Sequence, residues 1–230
     1  MPASDATNRA VVFDLDDTLY PERQYVRSGY VAVAKFLRVE TGRGEKYEDW
    51  LWRRFLEGET GGAFDSLNEA FSLGLCPDRI GQLVRVYRGH HPDIRPYEGV
   101  AGLLDRLRGR VRLGLLSDGF LPAQQLKLDA LGLADRFDAV LFTETMGREC
   151  WKPSPAGFVA LAEKLHVPAA GCAYVADNPA KDFLAPNRLG WRTIQLRMPG
   201  QVHADRSAEP GGQAQRVVAG LGDLETALGE

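Results

Sequence analysis

Short apolar runs recur along the chain, each followed by a stretch with helical spacing. Ala10-Val11-Val12-Phe13 is apolar at every position, which suits a strand buried on both faces rather than one that alternates. Residues 111–116, 139–142, 172–176 and 193–196 repeat the pattern. Between the later runs the spacing predicts helices over residues 100–108, 122–131, 154–165 and 179–189. Pro122, Pro155 and Pro179 stand at their openings, where a fixed φ suits the first turn. Gly132, His166 and Gly190 stand where they should stop. Strand and helix alternating in this way predict an α/β fold, a parallel sheet covered by helices on both faces.

Residues 21–93 break this rhythm and contain no clear buried strand. Val26, Tyr30, Val33 and Leu37 keep helical spacing, as do Tyr47, Leu51 and Phe55, then Ile80, Leu83, Val84 and Tyr87. The pattern predicts three or four helices inserted after the first strand. The expected division is a core of residues 1–20 and 94–230 and an all-helical cap of residues 21–93. Residues 199–213 are polar and rich in Gly, Pro and Ala, as in a surface loop, and a short helix is expected over residues 214–228.

The 230 residues, 44% of them hydrophobic, suffice for a sizeable core. A net charge of −3 gives no basic surface for a nucleic acid polymer. No apolar run approaches the roughly 20 residues that span a bilayer. The small, polar stretch from Met1 to Arg9 reads as a frayed tail with no signal-peptide core. Cys76, Cys150 and Cys172 are scattered, which suits a reduced, cytoplasmic protein. Monomer and homodimer are equally compatible with these features.

Ligands of open α/β sheets bind at the carboxyl ends of the strands. There the sequence places Asp14-Leu15-Asp16-Asp17-Thr18, then Ser117-Asp118-Gly119, and Asp177-Asn178 with Asp182 a turn further on. Lys152-Pro153 falls in a loop before a helix. Converging carboxylates repel one another or raise one another's pKa, and a hard divalent cation removes that conflict. Oxygen-only ligands favour Mg²⁺ over Zn²⁺. With Lys152 as a point charge and Ser117 as a hydroxyl donor, the set contains what phosphoryl transfer needs.

The motifs Asp14-x-Asp16-x-Thr18, Ser117, Lys152-Pro153 and Asp177-(x4)-Asp182 resemble, in order, the four motifs of the haloacid dehalogenase superfamily. The resemblance runs from Val11 to about Leu196 and implies a Rossmann-like core with a helical cap between motifs one and two. It implies a Mg²⁺-dependent phosphatase acting on a small phosphate ester, a sugar phosphate or nucleoside monophosphate. Asp14 is then the nucleophile, Asp16 the general acid and base, and Thr18 a support of the loop. Ser117 and the amide of Asp118 hold phosphate oxygens, and Lys152 neutralises nucleophile and phosphate. Asp14, the Asp16 carbonyl and Asp177 bind the metal; Asp182 does so through water or orients Lys152. Ala176 stands where the family often has Gly before the fourth acidic motif, and Asp17 also occupies a frequent Gly position.

Each feature has a plainer reading. Asp17 suits a helix start better than catalysis. His90-His91, before the end of the insertion, suits a hinge or surface role, and Cys150 a neutral loop position. Tyr25, Trp50, Trp52, Arg53 and Arg54 of the insertion suit either a grip on the leaving group or an ordinary amphipathic helix. A dehalogenase needs neither Asp16 nor Asp177, whereas a phosphomutase needs the same machinery. A receiver-type signalling module is about half this length, and a non-catalytic phosphate-binding regulator is the remaining alternative.

Overall fold

The computed structural model describes residues 8–229. Six parallel strands form one sheet in the order β3-β2-β1-β4-β5-β6. They are β1 (Ala10–Phe13), β2 (Arg112–Ser117), β3 (Ala139–Phe142), β4 (Cys172–Ala176), β5 (Arg192–Leu196) and β6 (Arg216–Val218). β1 lies between β2 and β4, with Val12 opposite both Gly114 and Tyr174. Central strands of a parallel sheet are covered twice, which is why all four residues of β1 are buried.

Side-chain alternation divides the core in two. Val11, Phe13, Leu113, Leu115 and Val175 face α5 (Val100–Leu107), α6 (Ala123–Leu131) and α9 (Leu224–Leu228). Val12, Leu116 and Tyr174 face Phe158 and Leu161 of α7 (Ala156–Leu165), with Trp191 closing that side. The α6 and α7 helices stop at Gly132 and His166, both left-handed at φ 63° and 57°.

Four helices occupy the insertion: α1 (Glu22–Thr41), α2 (Tyr47–Leu56), α3 (Ala63–Ala70) and α4 (Pro77–Gly89). The predicted stripe Tyr30, Val33 and Leu37 meets Tyr47, Leu51, Leu67 and Leu83 in an apolar cluster separate from the two beside the sheet. Gly29 of α1 lies so close to the Tyr87 ring that any side chain there would collide with it. His90 bridges the Tyr87 carbonyl and the Ser28 hydroxyl, 2.6 and 3.1 Å away, so its role is to brace the end of α4.

Two expectations change. Residues 214–228 hold β6, a turn and the five-residue α9 rather than one helix. Only Val218 of β6 is buried, so this edge strand has almost no apolar signature. Residues 179–189 become a turn followed by α8 (Leu184–Arg188). Residues 199–213 are the expected surface loop, but an anchored one: Ala204 is buried, and the segment straps the loop after β1. The tail expected for Met1–Arg9 lies outside the described residues except for Asn8 and Arg9, and Arg9 donates to the Leu228 carbonyl at 3.1 Å. Among the described residues no helix is long and apolar enough to cross a membrane.

Candidate active site

A cavity of about 550 Å³ opens at the carboxyl ends of the strands, where Asp14, Asp16, Asp118, Lys152 and Asp177 line it. Asp14 continues β1, and its amide still bonds the Val175 carbonyl at 2.9 Å. The loop then turns sharply through Asp17, whose φ is +54°. That backbone is one Gly adopts most readily. Asp17 is buried away from the cavity. Its carboxylate accepts the amide of Glu22 at the start of α1, 2.7 Å away, and that of Val202 at 2.5 Å. The helix-start reading therefore fits it. Thr18 is buried, and its amide approaches the Leu15 carbonyl at 3.4 Å.

Lys152 reaches the floor of the site from the loop before α7. Its ammonium lies 2.9 Å from Asp14 Oδ1 and 2.8 Å from Asp182 Oδ1, and it donates to the Tyr174 hydroxyl at 2.9 Å. Burial alone would lower this lysine, but Asp14 and Asp182 outweigh it and hold it well above its ordinary value. Asp182 is itself fixed by the Asn178 amide at 3.0 Å, which the turn before α8 makes possible.

Asp14, Asp177 and Asp182 each bring a carboxylate oxygen within 4.8 Å of the other two, all buried. Like charges at that distance repel by about 3–4 kcal/mol at an effective dielectric near 20. Burial, opposed by Lys152, pushes Asp14 up to about 6. Burial, then Asp182 and Asp14, push Asp177 up to about 9. Asp177 Oδ2 is buried with no hydrogen-bond partner. A crowded, oxygen-only acidic cluster with an unpaired acceptor fits a hard divalent cation.

The Asp16 side chain points elsewhere. It accepts Lys127 Nζ at 2.8 Å, Gln124 Nε2 at 2.9 Å and the Tyr20 hydroxyl. Burial raises this carboxyl, but Lys127, with Tyr20 and Gln124, holds it below the usual carboxylate range. Ser117 ends β2 with its hydroxyl 2.7 Å from Gln124 Nε2. The Asp118 carboxylate receives Thr143 Oγ1 at 2.7 Å and the Lys152 amide at 3.1 Å, so it ties the loop of the lysine to β2. Gly119 has φ +131° and faces Gln124 closely, so a side chain there would displace the amide.

Sequence reasoning missed several cavity residues. Gln124 and Lys127 are buried one turn apart on α6, and polar residues at that spacing on an inward helix face were the available signal. Lys181, 3.7 Å from Asp118 Oδ2, stands one residue before Asp182. Glu22, Tyr87 and Arg88 come from the insertion, and His203 and Arg206 from the strap. Of the insertion residues singled out, Tyr25 lines the cavity but Trp50, Trp52, Arg53 and Arg54 do not. Arg54 instead stacks on Trp50, 5.0 Å from the ring centre, and pairs with Glu59 at 2.8 Å. Cys150 approaches only the Met146 carbonyl, at 3.5 Å.

A parallel sheet with an acidic, lysine-centred cluster at its carboxyl edge and a helical insertion after the first strand defines a hydrolase of one superfamily. The chain belongs to the haloacid dehalogenase-like hydrolases, whose family profile matches residues 8–190. It is 30% identical to a glyceraldehyde 3-phosphate phosphatase of Methanopyrus kandleri, over 82% of this chain and 84% of that one. It is also 30% identical to the pyrimidine 5'-nucleotidase YjjG of Escherichia coli, over 84% and 72%. A haloacid dehalogenase-superfamily hydrolase of subfamily IA from Geobacter sulfurreducens shares the fold at TM-score 0.69 and 19% identity, over 99% of both chains.

Proposed function

We propose that the protein is a Mg²⁺-dependent phosphomonoesterase that transfers a phosphoryl group from a small ester to Asp14 and then to water. One observation carries this reading. Asp14 stands at the end of the central strand, on the cavity floor, between a buried ammonium and a carboxylate cluster. The relatives named for phosphatase and nucleotidase activity support it.

Asp14, the Asp16 carbonyl and Asp177 would hold Mg²⁺, which supplies charge neutralisation for Asp14 and the phosphoryl oxygens. Lys152 balances the second share of that charge and fixes the Asp14 carboxylate for attack on phosphorus. Ser117 and the Asp118 amide receive phosphoryl oxygens, and Lys181 adds a further cation at the rim. Asp16, held on the cavity wall by Lys127 and Gln124, gives a proton to the leaving oxygen in the first half-reaction and, as a carboxylate, takes one from water in the second. Attack forms the Asp14–phosphorus bond as the ester P–O bond breaks, and the proton goes to the leaving alcohol. Water then forms the new P–O bond, its proton returns to Asp16, and Asp14 leaves. The helices of residues 21–93 act as a cap that excludes bulk water from the first step. A dehalogenase would have no use for Asp16 and Asp177 as they are placed.

A panel of phosphate esters, each assayed with Mg²⁺ and with excess chelator, tests the proposal. Turnover with Mg²⁺ alone is expected. Full turnover in chelator, or none with any ester, contradicts it.

A further inference from the structure

The catalytic cavity adjoins a second chamber of about 450 Å³, set between the insertion helices and the strap. Glu22, Tyr87, Arg88 and His203 border both spaces and form a collar between them. Two collar residues meet across it, with His203 Nε2 3.5 Å from Glu22 Oε2. A third, Arg88, lays its guanidinium on the Phe120 ring, 3.4 Å from its centre, and so joins α4 to the core loop after β2.

Beyond the collar the walls change character. On the catalytic side carboxylates, ammonium groups and amides stand beside Tyr25, Phe120 and Trp151. In the second chamber the walls are chiefly Val26, Tyr30, Phe55, Phe64, Ile80 and Val84. These six belong to the apolar cluster of the insertion, yet each turns part of its surface to the chamber rather than to a neighbouring helix. Outside the collar, among the described residues, the one charged side chain on the chamber wall is that of Asp65, an acid. The cation nearest a second phosphate or carboxylate is Arg88 of the collar, whose guanidinium already lies on the Phe120 ring. An apolar group would shed its hydration against hydrocarbon and rings, at no cost in unpaired polar groups.

Resting on the phosphatase reading of the catalytic cavity, we infer that the second chamber receives an uncharged, apolar extension of the leaving group. The substrate class is then a phosphomonoester of an alcohol with an alkyl or aromatic tail. The oxygen next to phosphorus stays by Asp16, the collar surrounds the middle of the molecule, and Glu22 accepts a hydrogen bond from any hydroxyl or amine there. The tail passes into the chamber. A bare triose or pentose phosphate fills only the first cavity.

Two ladders test this. The first is kcat/KM for ethyl, butyl, hexyl and octyl phosphate. Each methylene buried in the chamber raises it about two- to fourfold, the value of a methylene removed from water. Val84→Trp narrows the chamber without touching the catalytic side; it should flatten the ladder and leave ethyl phosphate within about twofold of wild type. The second ladder is the calorimetric Kd of wild-type protein with Mg²⁺ for ethyl-, butyl- and hexylphosphonate, which needs neither turnover nor a variant that folds. Binding that tightens with chain length supports the chamber even if no ester is hydrolysed, a result that would overturn the phosphatase reading alone. Flat ladders in both measurements, with ethyl phosphate turned over, overturn the chamber and leave that reading intact.

Discussion

The Lys152 ammonium lies 2.9 Å from the Asp14 carboxylate, with both side chains buried. The contact is direct, so the lysine holds Asp14 in place and, in the proposed mechanism, offsets the charge of an arriving phosphate. Lys152→Ala should lower kcat/KM by about 100-fold or more, since a positioned cation at developing charge is worth on the order of 3 kcal/mol. It should also destabilise the fold, because Asp14 and Asp182 lose their shared counter-charge. Steady-state kinetics and a urea melt read the two effects. A loss below about threefold places Lys152 outside the chemistry.

The cluster of Asp14, Asp177 and Asp182 should make the fold sense the cation. In the proposed site Mg²⁺ would bind the folded state and not the dispersed carboxylates of the unfolded chain. At 100 times its Kd it should add about 2.7 kcal/mol of stability, visible as a rise in Tm. Asp177→Asn should lose most of that rise. An equal rise in the variant assigns the ion to another place.

Asp17 links the loop after β1 to the strap through the Glu22 and Val202 amides. Asp17→Ala leaves both half-buried amide donors without this acceptor, at about 1 kcal/mol each. Urea denaturation should show the loss, and the residual activity of the folded fraction should fall as the strap loosens. Unchanged stability would mean that water replaces the carboxylate without penalty.

Arg54 and Arg88 separate the outer face of the insertion from its inner one. Arg54 is paired with Glu59 and stacked on Trp50, away from the cavity. Arg88 stands in the collar over Phe120. Arg88→Ala should change the ranking of phosphate esters, whereas Arg54→Ala should leave the ranking alone. The reverse result would move substrate selection to the outer face.

These contrasts show what the sequence could and could not convey. The five core strands were legible because each is a short, mainly apolar run, with β5 carrying polar residues at Thr193 and Gln195, and the motif acids of β1, β2 and β4 follow directly from their ends. Asp14, Ser117, Lys152, Asp177 and Asp182 are positioned by local chain direction, so their convergence could be anticipated. Lys127 and Gln124 escaped notice because polar residues on a helix read as its solvated face, and only their spacing beside Ala123, Leu128 and Leu131 marks that face as inward. The strap escaped it because residues 199–213 have the composition of a loop, and contacts distant in sequence, to Asp17, Asn187 and Gln195, order them. β6 is three residues long with one buried, too little for any periodicity.

The two carboxylates of the first motif carry the central claim, since in the proposed mechanism Asp14 attacks phosphorus while Asp16 moves protons. A nitrophenolate leaves without an acid, but water cannot attack well without a base, and general acid–base catalysis is typically worth about 10²–10⁴-fold. Asp16→Asn mixed with p-nitrophenyl phosphate and Mg²⁺ should therefore release a burst of phenolate and stall. Intact mass after acid quench should show one added phosphoryl group, absent when Asp14 is also replaced by Asn. Steady release with no burst and no mass increase would contradict transfer through Asp14.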